Sequence, residues 1–257
     1  MLLTEFDPAK RAVIDPALLI EPVEDFPDVT ISIFSWRLFQ RVLALFPDAR
    51  EIARLHSATA LSPVYEVVYE GERFAFFQSF VGAPMCAGMH EDAIAMGSRR
   101  IILLGNCGVL DPTIDDCGII IPNRALRDEG TSYHYAPPAD DIAVNGKYAP
   151  LFREVLRERG ISFVEGTTWT TDAAYRETHE KVARRRAQGA ICVEMECAAM
   201  QAMCDFRGVE FFQYLYAGDN LGGSTWDPRS LSGHVRLDDK EKLALLAFEL
   251  GLKIKRQ

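Results

Sequence analysis

The sequence has no excess of positive charge: 28 lysines and arginines stand against 37 aspartates and glutamates, and the formal net charge is -9. Because nucleic acid is bound through a basic surface, this balance argues against DNA or RNA as a partner. A small phosphate-bearing ligand is still compatible with it, since one local basic pocket is enough to bind such a ligand.

Long apolar runs are also missing, because no stretch reaches the roughly 20 apolar residues that a membrane-spanning helix needs. The opening segment, "MLLTEFDPAKRAVIDP", is acidic and interrupted by prolines, and it lacks the basic and apolar regions of a signal peptide. The six cysteines form no CxxC pair and no cluster with histidine, so we predict no metal site. We therefore expect a cytoplasmic protein with reduced thiols and no membrane partner.

Hydrophobic residues make up 48% of the 257 positions and charged residues 25%, which is typical of a globular protein with a sizeable core. Segments with strand patterns alternate with segments of helical spacing along the chain. This alternation predicts an α/β fold around a largely parallel, buried sheet. Because no linker or repeat interrupts the pattern, we predict one domain over residues 1–257, with residues 1–28 as an N-terminal extension.

Three segments that follow apolar strands carry polar residues. They are "GNCG" (105–108), "VEMEC" (193–197) and "AGDN" (217–220). In parallel α/β sheets ligands bind at the carboxyl ends of strands, so we expect these segments to form loops at a binding site. The second segment is unusual because Glu194 and Glu196 stand in an apolar run, where a carboxylate is costly to bury unless something pairs with it.

Six stretches resemble, in order, motifs of the nucleoside phosphorylase superfamily, which includes uridine phosphorylases and bacterial hexameric purine nucleoside phosphorylases. Between about residues 30 and 220 they are "GAPMCAGMHEDAIAMG", "RRIILLGNCGVLDP", "RDEGTSYHY", "TTDAAY", "VEMECAAM" and "YAGDN". The resemblance implies a single-domain, three-layer α/β fold whose central mixed sheet curls towards a barrel between flanking helices. It also implies a homo-oligomer (dimer, trimer or hexamer), because subunits of that family lend each other active-site residues.

The resemblance assigns ribose to the "VEMEC" segment. Glu196 would accept hydrogen bonds from the ribose hydroxyls, which suits an ionised carboxylate because it can only accept. Met195 would pack on the sugar, and Glu194 would either join it as a ligand or be a solvated loop carboxylate. The alternative for Glu196 is a charge that the N-terminus of a helix favours.

The resemblance also implies how the base would be held. Asp219 matches the aspartate with which purine enzymes of the family protonate the leaving base, and Arg229 is the candidate arginine that tunes it. Otherwise Asp219 is a turn residue at the end of a strand. Tyr175 and Trp169 are candidates to flank the base unless they are ordinary packing residues, and Ala174 replaces a stacking phenylalanine of the family. Because uridine phosphorylases lack the aspartate, a purine is favoured.

The phosphate end departs from the family pattern. Gly105, Asn106 and Gly108 form the nucleophile region, with Arg37 close to an expected arginine. Phe34, however, replaces a glycine that would let the backbone approach an anion.

Two further arginines of the family are replaced by Ala60 and Leu103. Each lost charge-assisted hydrogen bond to phosphate would be worth about 1.5–3 kcal/mol. The function implied is cleavage of the N-glycosidic bond of a nucleoside, with phosphate as co-substrate and no other cofactor. Two alternatives stay open. One is a nucleosidase in which His90 or Glu91 activates water, although Glu91 could equally be a structural helix residue. The other is a nucleoside-binding protein without catalysis.

Overall fold

The computed structural model describes residues 2–257, apart from the side chains of residues 2 and 56. Within this range ten strands form one sheet. In chain order the strands are β1 (Val29–Ile33), β2 (Arg50–His56), β3 (Leu61–Tyr69), β4 (Glu72–Gln78), β5 (Arg100–Val109), β6 (Ile119–Asp128), β7 (Asp141–Ala143), β8 (Phe163–Thr171), β9 (Ala190–Glu194) and β10 (Glu210–Asn220).

The α-helices of the same range alternate with these strands. They are α1 (Pro16–Leu19), α2 (Trp36–Leu43), α3 (Ala83–Met96), α4 (Ala149–Glu158), α5 (His179–Ala187), α6 (Cys197–Arg207) and α7 (Leu237–Lys255). Glycine ends two of them: Gly97 follows α3, and Gly208 follows α6 in the left-handed conformation, with φ of 70°. None of the helices described is long and apolar enough to cross a membrane.

Five strands close into a barrel because β5 pairs with β10 along its whole length and with β9 at its carboxyl end. The ring is completed by the pairs β10–β6, β6–β8 and β8–β9. The amino-terminal half of β5 pairs with β1 on its other edge, and the sheet continues through β4 and β3 to β2. The expected mixed sheet that curls into a barrel is thus confirmed.

The sheet is less parallel than the alternation of strands and helices predicted. The pairs β1–β4, β1–β5, β5–β10, β6–β8 and β8–β9 are parallel, but β2–β3, β3–β4, β5–β9, β6–β7 and β6–β10 are antiparallel. The difference arises because the hairpin of β3 and β4 extends one end of the sheet and because closure of the barrel reverses the direction at β5–β9 and β6–β10.

Strand β5 is buried on both faces, which explains its unbroken apolar sequence. Ile102 and Leu104 lie in the large core that α2, α4 and α7 cover, whereas Ile101 and Leu103 lie in a second core under α3 and α6. The layers are therefore helix, sheet and helix, with β5 in the middle. This arrangement places the carboxyl end of β5 in the middle of the sheet edge where the sequence predicts a binding site.

The segment before β1 runs along the surface of α3 and α6. The Val23 N–H donates to the Met96 carbonyl at 3.0 Å, and Lys10 Nζ donates to the Phe206 carbonyl at 2.7 Å. Residue 1 of the predicted extension lies outside the described residues. All six cysteines are buried and unpaired in the part of the chain that the structure describes.

Candidate functional site

The ends of β5, β9 and β10 border an open cleft of about 250 Å³, which we call the inner cleft. The residues that line it are Phe34, Val81, Asn106, Cys107, Gly108, Ala174, Glu177, Val193, Glu194, Met195, Glu196, Asp219, Leu221 and Leu231. Four of them are carboxylates, and among residues 2–257 no lysine or arginine lines this cleft. Its charge suits a neutral or positively charged group better than an isolated anion.

Asp219 reaches the inner cleft because of a bulge in β10. The register against β5 shifts between Ala217 and Asp219, so Gly218 is an extra residue and the aspartate lies opposite Gly108. A bulge re-aims the side chain that follows it. A Cβ atom at residue 108 would stand 3.1 Å from Asp219 Oδ1 and 2.3 Å from Leu221 Cδ1, so a side chain there would displace Leu221 and crowd Asp219.

The carboxyl of Asp219 is only 8% exposed, and its Oδ2 accepts a hydrogen bond from the Trp226 indole at 2.7 Å. Burial raises the pKa of Asp219, although the indole and the charge of Arg229 partly offset this. Arg229 does not reach the cleft itself. Its guanidinium donates to the Ile114 carbonyl at 2.8 Å and pairs with Asp227, so the predicted tuning acts only at a distance.

Glu194 builds the loop between β9 and α6. Its Oε2 accepts from the backbone N–H groups of Glu196 (2.7 Å) and Cys197 (2.6 Å), and its Oε1 accepts from the hydroxyl of Thr170 at 2.6 Å. Burial raises its pKa to about 6, and these bonds hold it from rising further. Because this side chain is buried and both oxygens accept hydrogen bonds, it is not a solvated loop carboxylate; it positions the residues beside it.

Glu196 lines the inner cleft and links two helix N-termini. It precedes α6, and its Oε1 accepts from the N–H of Gly82 at 2.6 Å, just before α3. Gly82 has φ of 99°, which a side chain would disfavour. Burial and the neighbouring charge of Glu194 raise the pKa of Glu196 to about 8. A carboxylate offers about four acceptor sites, so the bond to Gly82 leaves capacity for a ligand.

We predict that Glu196→Gln stabilises the protein at high pH. A carboxyl whose pKa rises from 4.5 to about 8 on folding makes the protein progressively less stable as pH rises through that interval. The neutral amide avoids this loss and still accepts from Gly82. The free energy of unfolding of the variant should exceed that of the wild type by a few kcal/mol at pH 9 and by little at pH 4. Urea unfolding at both pH values measures it.

The matched control for that stability prediction is Glu180→Gln, which changes an exposed glutamate of α5. Its stability relative to the wild type should be nearly the same at pH 4 and at pH 9. A Glu196→Gln variant that shows no gain at pH 9 would mean that Glu196 is ionised in the folded protein at little cost.

The predicted phosphate region is occupied mainly by uncharged groups. Asn106 and Gly108 line the inner cleft, but Gly105 does not. A Cβ at residue 105 would stand 3.4 Å from Phe34 Cε2 and 3.3 Å from the amide nitrogen of Gln213, a buried side chain with no partner among the described residues. Arg37 is exposed on α2 and does not line the cleft, so it does not supply the missing charge.

The two candidate bases for a hydrolytic reaction both have structural partners. His90 is fully buried, its Nε2 is 2.8 Å from the Ser32 hydroxyl, and its Nδ1 is 2.7 Å from the Cys86 carbonyl. Burial lowers the pKa of His90 to about 4. Glu91 accepts from Arg207 Nε at 2.6 Å. Neither side chain lines the inner cleft, so neither is in place to activate water there.

A second space, which we call the outer chamber, opens beside the inner cleft and has a volume of about 670 Å³. Ala174, Glu177, Asp219, Leu221 and Leu231 line both spaces. The further walls of the outer chamber are Tyr175, His179, Val182, Ser224, Thr225 and Trp226. The two spaces therefore adjoin, and the residues at their junction include two carboxyl groups.

Glu177 is the site residue that the sequence did not indicate. It follows the short 3₁₀ turn Ala174–Arg176, and it is partly buried at the junction. Burial and the nearby charge of Asp219 raise its pKa to about 7, while Lys181 lowers it. No motif marks this position, because its role depends on Asp219, which is 42 positions away along the chain (219 − 177).

The predicted base-pocket residues take three different places. Ala174 lies at the junction, and Tyr175 lines the outer chamber with its ring wholly exposed. Trp169 lines neither space. It is fully buried in a core cluster with Leu126, and its indole donates to Asp128 at 3.0 Å, so it is a packing residue and does not flank the base.

Comparison with known proteins identifies the family. A family model described as the phosphorylase superfamily matches residues 40–246. The chain belongs to the phosphorylase superfamily. This match confirms the family that the six sequence stretches predicted, and it includes every segment of the inner cleft except Phe34.

Individual members of the superfamily match this chain at low identity. A purine nucleoside phosphorylase of Plasmodium vivax is 32% identical over 155 residues, which cover 56% of this chain and 60% of that protein. A uridine phosphorylase of Thermococcus kodakarensis is 26% identical over 140 residues, which cover 52% and 47%. The chain thus spans about half to three fifths of the length of these relatives.

The fold of the superfamily is matched over nearly the whole chain. The crystal structure of a uridine phosphorylase from Vibrio fischeri superposes with a TM-score of 0.76 at 19% identity and covers 91% of this chain and 95% of that one. Within this superfamily fold, the described residues contain no group of three or more histidine, cysteine, aspartate or glutamate side chains that could hold a metal ion.

Proposed function

We propose that this protein cleaves the N-glycosidic bond of a purine nucleoside. One observation carries the proposal: Glu196, Met195 and Asp219 line the same inner cleft, so a sugar and its base could contact all three side chains at once. The cleft and the adjoining chamber together have the size of an ordinary small-molecule site. The membership of the superfamily makes this chemistry the natural expectation for the cleft.

The sugar would lie against Glu196 and Met195. Vicinal hydroxyls supply two donors, and the remaining acceptor sites of Glu196 can receive them. Breaking the N-glycosidic bond develops positive charge on the sugar, and the carboxyl groups of the cleft stabilise that charge in a site with little water. Glu194 would act indirectly, because its bonds to the backbone of Glu196 and Cys197 fix the loop.

The base would lie towards Asp219. Burial raises the pKa of this aspartate and so favours its protonated form, and the proton would pass to a ring nitrogen of the base as the bond breaks. Trp226 holds Oδ2, which leaves Oδ1 beside Gly108 for contact with the base. A pyrimidine has no imidazole nitrogen to receive the proton, so the proposal favours purines.

Phosphate is the default acceptor of the sugar, as expected for the superfamily. The charges needed to bind it would come from another copy of the chain in a homo-oligomer, because the described inner cleft has no lysine or arginine in its walls. The same feature favours a second candidate function, hydrolysis, in which water replaces phosphate. We place either reaction in cytoplasmic purine salvage, without a further cofactor.

One experiment tests the proposal and separates its two forms. The purified protein is incubated with adenosine, inosine or uridine, with and without inorganic phosphate, and free base is followed by chromatography. We expect a purine base to be released and uracil not to be released. Release that requires phosphate identifies a phosphorylase, and equal release without phosphate identifies a hydrolase. If no base is released from any nucleoside, the chain is a binding protein and the proposal is wrong.

A further inference from the structure

The inner cleft does not end where a purine ring would end. Ala174, whose side chain is a single methyl group, lies at the junction with the outer chamber. Leu221 and Leu231 also line both spaces. A nucleoside bound in the inner cleft would therefore leave the adjoining outer chamber, about 670 Å³, unfilled. The volume alone would hold a second ring or a branched alkyl chain.

The walls of the outer chamber are suited to an apolar group. Val182 and Leu221 supply aliphatic surface, and Tyr175 and Trp226 supply aromatic surface. Both rings are unusually exposed for their type, with Tyr175 fully exposed and Trp226 58% exposed. The Trp226 N–H is already bonded to Asp219, so the ring presents its apolar surface to a ligand. An apolar group placed here would cover surface that is otherwise in contact with water.

Two carboxyl groups stand at the junction and define which edge of the base would face it. Asp219 and Glu177 line both spaces, and the charge of Asp219 favours the protonated form of Glu177. When one of them holds a proton, the pair offers one donor and one acceptor at the junction. Adenine presents the matching edge, with N7 as an acceptor and the 6-amino group as a donor, whereas hypoxanthine and guanine present two acceptors there.

We propose that the substrates are adenine nucleosides whose 6-amino group carries an apolar alkyl or aryl substituent, which occupies the outer chamber. Asp219 would contact N7, and Glu177 would accept from the N–H that a monosubstituted amine retains. The inference rests on the proposed function and deepens it, because it names the substrate class of the same cleft. Glu177 is then the residue that selects the 6-amino over the 6-oxo class.

The test compares kcat/KM for adenosine, N6-benzyladenosine and inosine. The wild type should prefer N6-benzyladenosine to adenosine by about tenfold or more, which is the discrimination expected for filling an apolar pocket. Ala174→Phe places a ring at the junction, so the ratio between these two substrates should fall by about tenfold. Glu177→Gln should lower the ratio of adenosine to inosine by about tenfold or more, because the amide can donate to a 6-oxo group.

The matched control is Ala173→Phe, which adds the same ring to a neighbouring exposed alanine that lines neither space. It should leave both substrate ratios within about threefold of the wild type. A wild type that cleaves adenosine at least as well as N6-benzyladenosine overturns the inference while the proposed function stands. So does an Ala174→Phe variant whose ratio matches that of the control.

If no nucleoside is cleaved, the proposed function fails and binding decides the inference alone. Trp226 lines the outer chamber, so its fluorescence should report occupancy. N6-benzyladenosine should then bind about tenfold more tightly than adenosine, and Ala174→Phe should abolish the difference. Equal dissociation constants for the two nucleosides overturn the inference in this case as well.

Discussion

Replacing Asp219 with asparagine should lower kcat for purine release by about 100- to 10,000-fold, the range for losing a general acid. The amide keeps the shape of the side chain and its acceptor for Trp226, but it cannot give a proton to the base. The wild type should also lose activity as pH rises through the raised pKa of Asp219, because only the protonated carboxyl is the acid. The variant should lack this decline. Initial rates of base release from adenosine between pH 5 and pH 9 measure both effects.

The control for this variant is Asp48→Asn, which removes the charge of an exposed aspartate between α2 and β2. It should change kcat by less than about threefold. A second control uses 7-methylguanosine, whose base is already cationic and leaves without being protonated. Asp219→Asn should lose little activity on it, and a loss as large as that on adenosine would show that Asp219 is not the acid.

Glu196→Ala should lower kcat/KM for adenosine by about 10- to 100-fold, because two hydrogen bonds from the ribose hydroxyls would be lost. The variant also removes the acceptor for the Gly82 N–H and so loosens the start of α3. That indirect effect would act on every nucleoside alike. The loss of kcat/KM that comes from the ribose hydroxyls is isolated by measuring the same variant with 2′,3′-dideoxyadenosine.

On 2′,3′-dideoxyadenosine the wild type and the Glu196→Ala variant should differ by less than about tenfold, because this substrate has no 2′ or 3′ hydroxyl for residue 196 to bind. On adenosine, Glu196→Gln should keep most of the wild-type activity at neutral pH, because its amide oxygen accepts hydrogen bonds as the neutral carboxyl does. Glu180→Ala, at an exposed position of α5, serves as the control for removing a glutamate. An equal loss on both substrates would mean that Glu196 acts only through the Gly82 loop.

Most of the fold could be predicted from local patterns, because long apolar strands and glycine-ended helices are encoded over short distances. Strand β2 could not, since its sequence "REIARLH" alternates charges that form ion pairs, such as Arg50 with Glu66 at 2.8 Å. The segments "GNCG" and "AGDN" were predicted as loops because polar residues follow apolar strands there, yet both continue as strand. Their glycines allow close contact inside the barrel, which a local pattern does not reveal.

The candidate site was predictable where a motif carries it and not where it depends on packing. The motif resemblance indicated Glu196, Met195 and Asp219, and the structure brings all three to one cleft. It could not show that Glu194 would accept hydrogen bonds from the backbone N–H groups of residues 196 and 197, since these bonds depend on the turn into α6. Nor could it separate Trp169, which packs in the core, from Tyr175, which faces solvent.

The pairing of β5 with β10 also bears on how the chain is made. About 100 residues separate the two strands, and the cleft needs both, because Gly108 and Asp219 face each other across that pair. A growing chain on the ribosome therefore makes the Glu196 loop after β9 before it makes the strand that carries Asp219. The inner cleft is complete only when β10, the last strand, has emerged, so a shortened chain that ends before β10 would lack the wall that Asp219 and Leu221 provide.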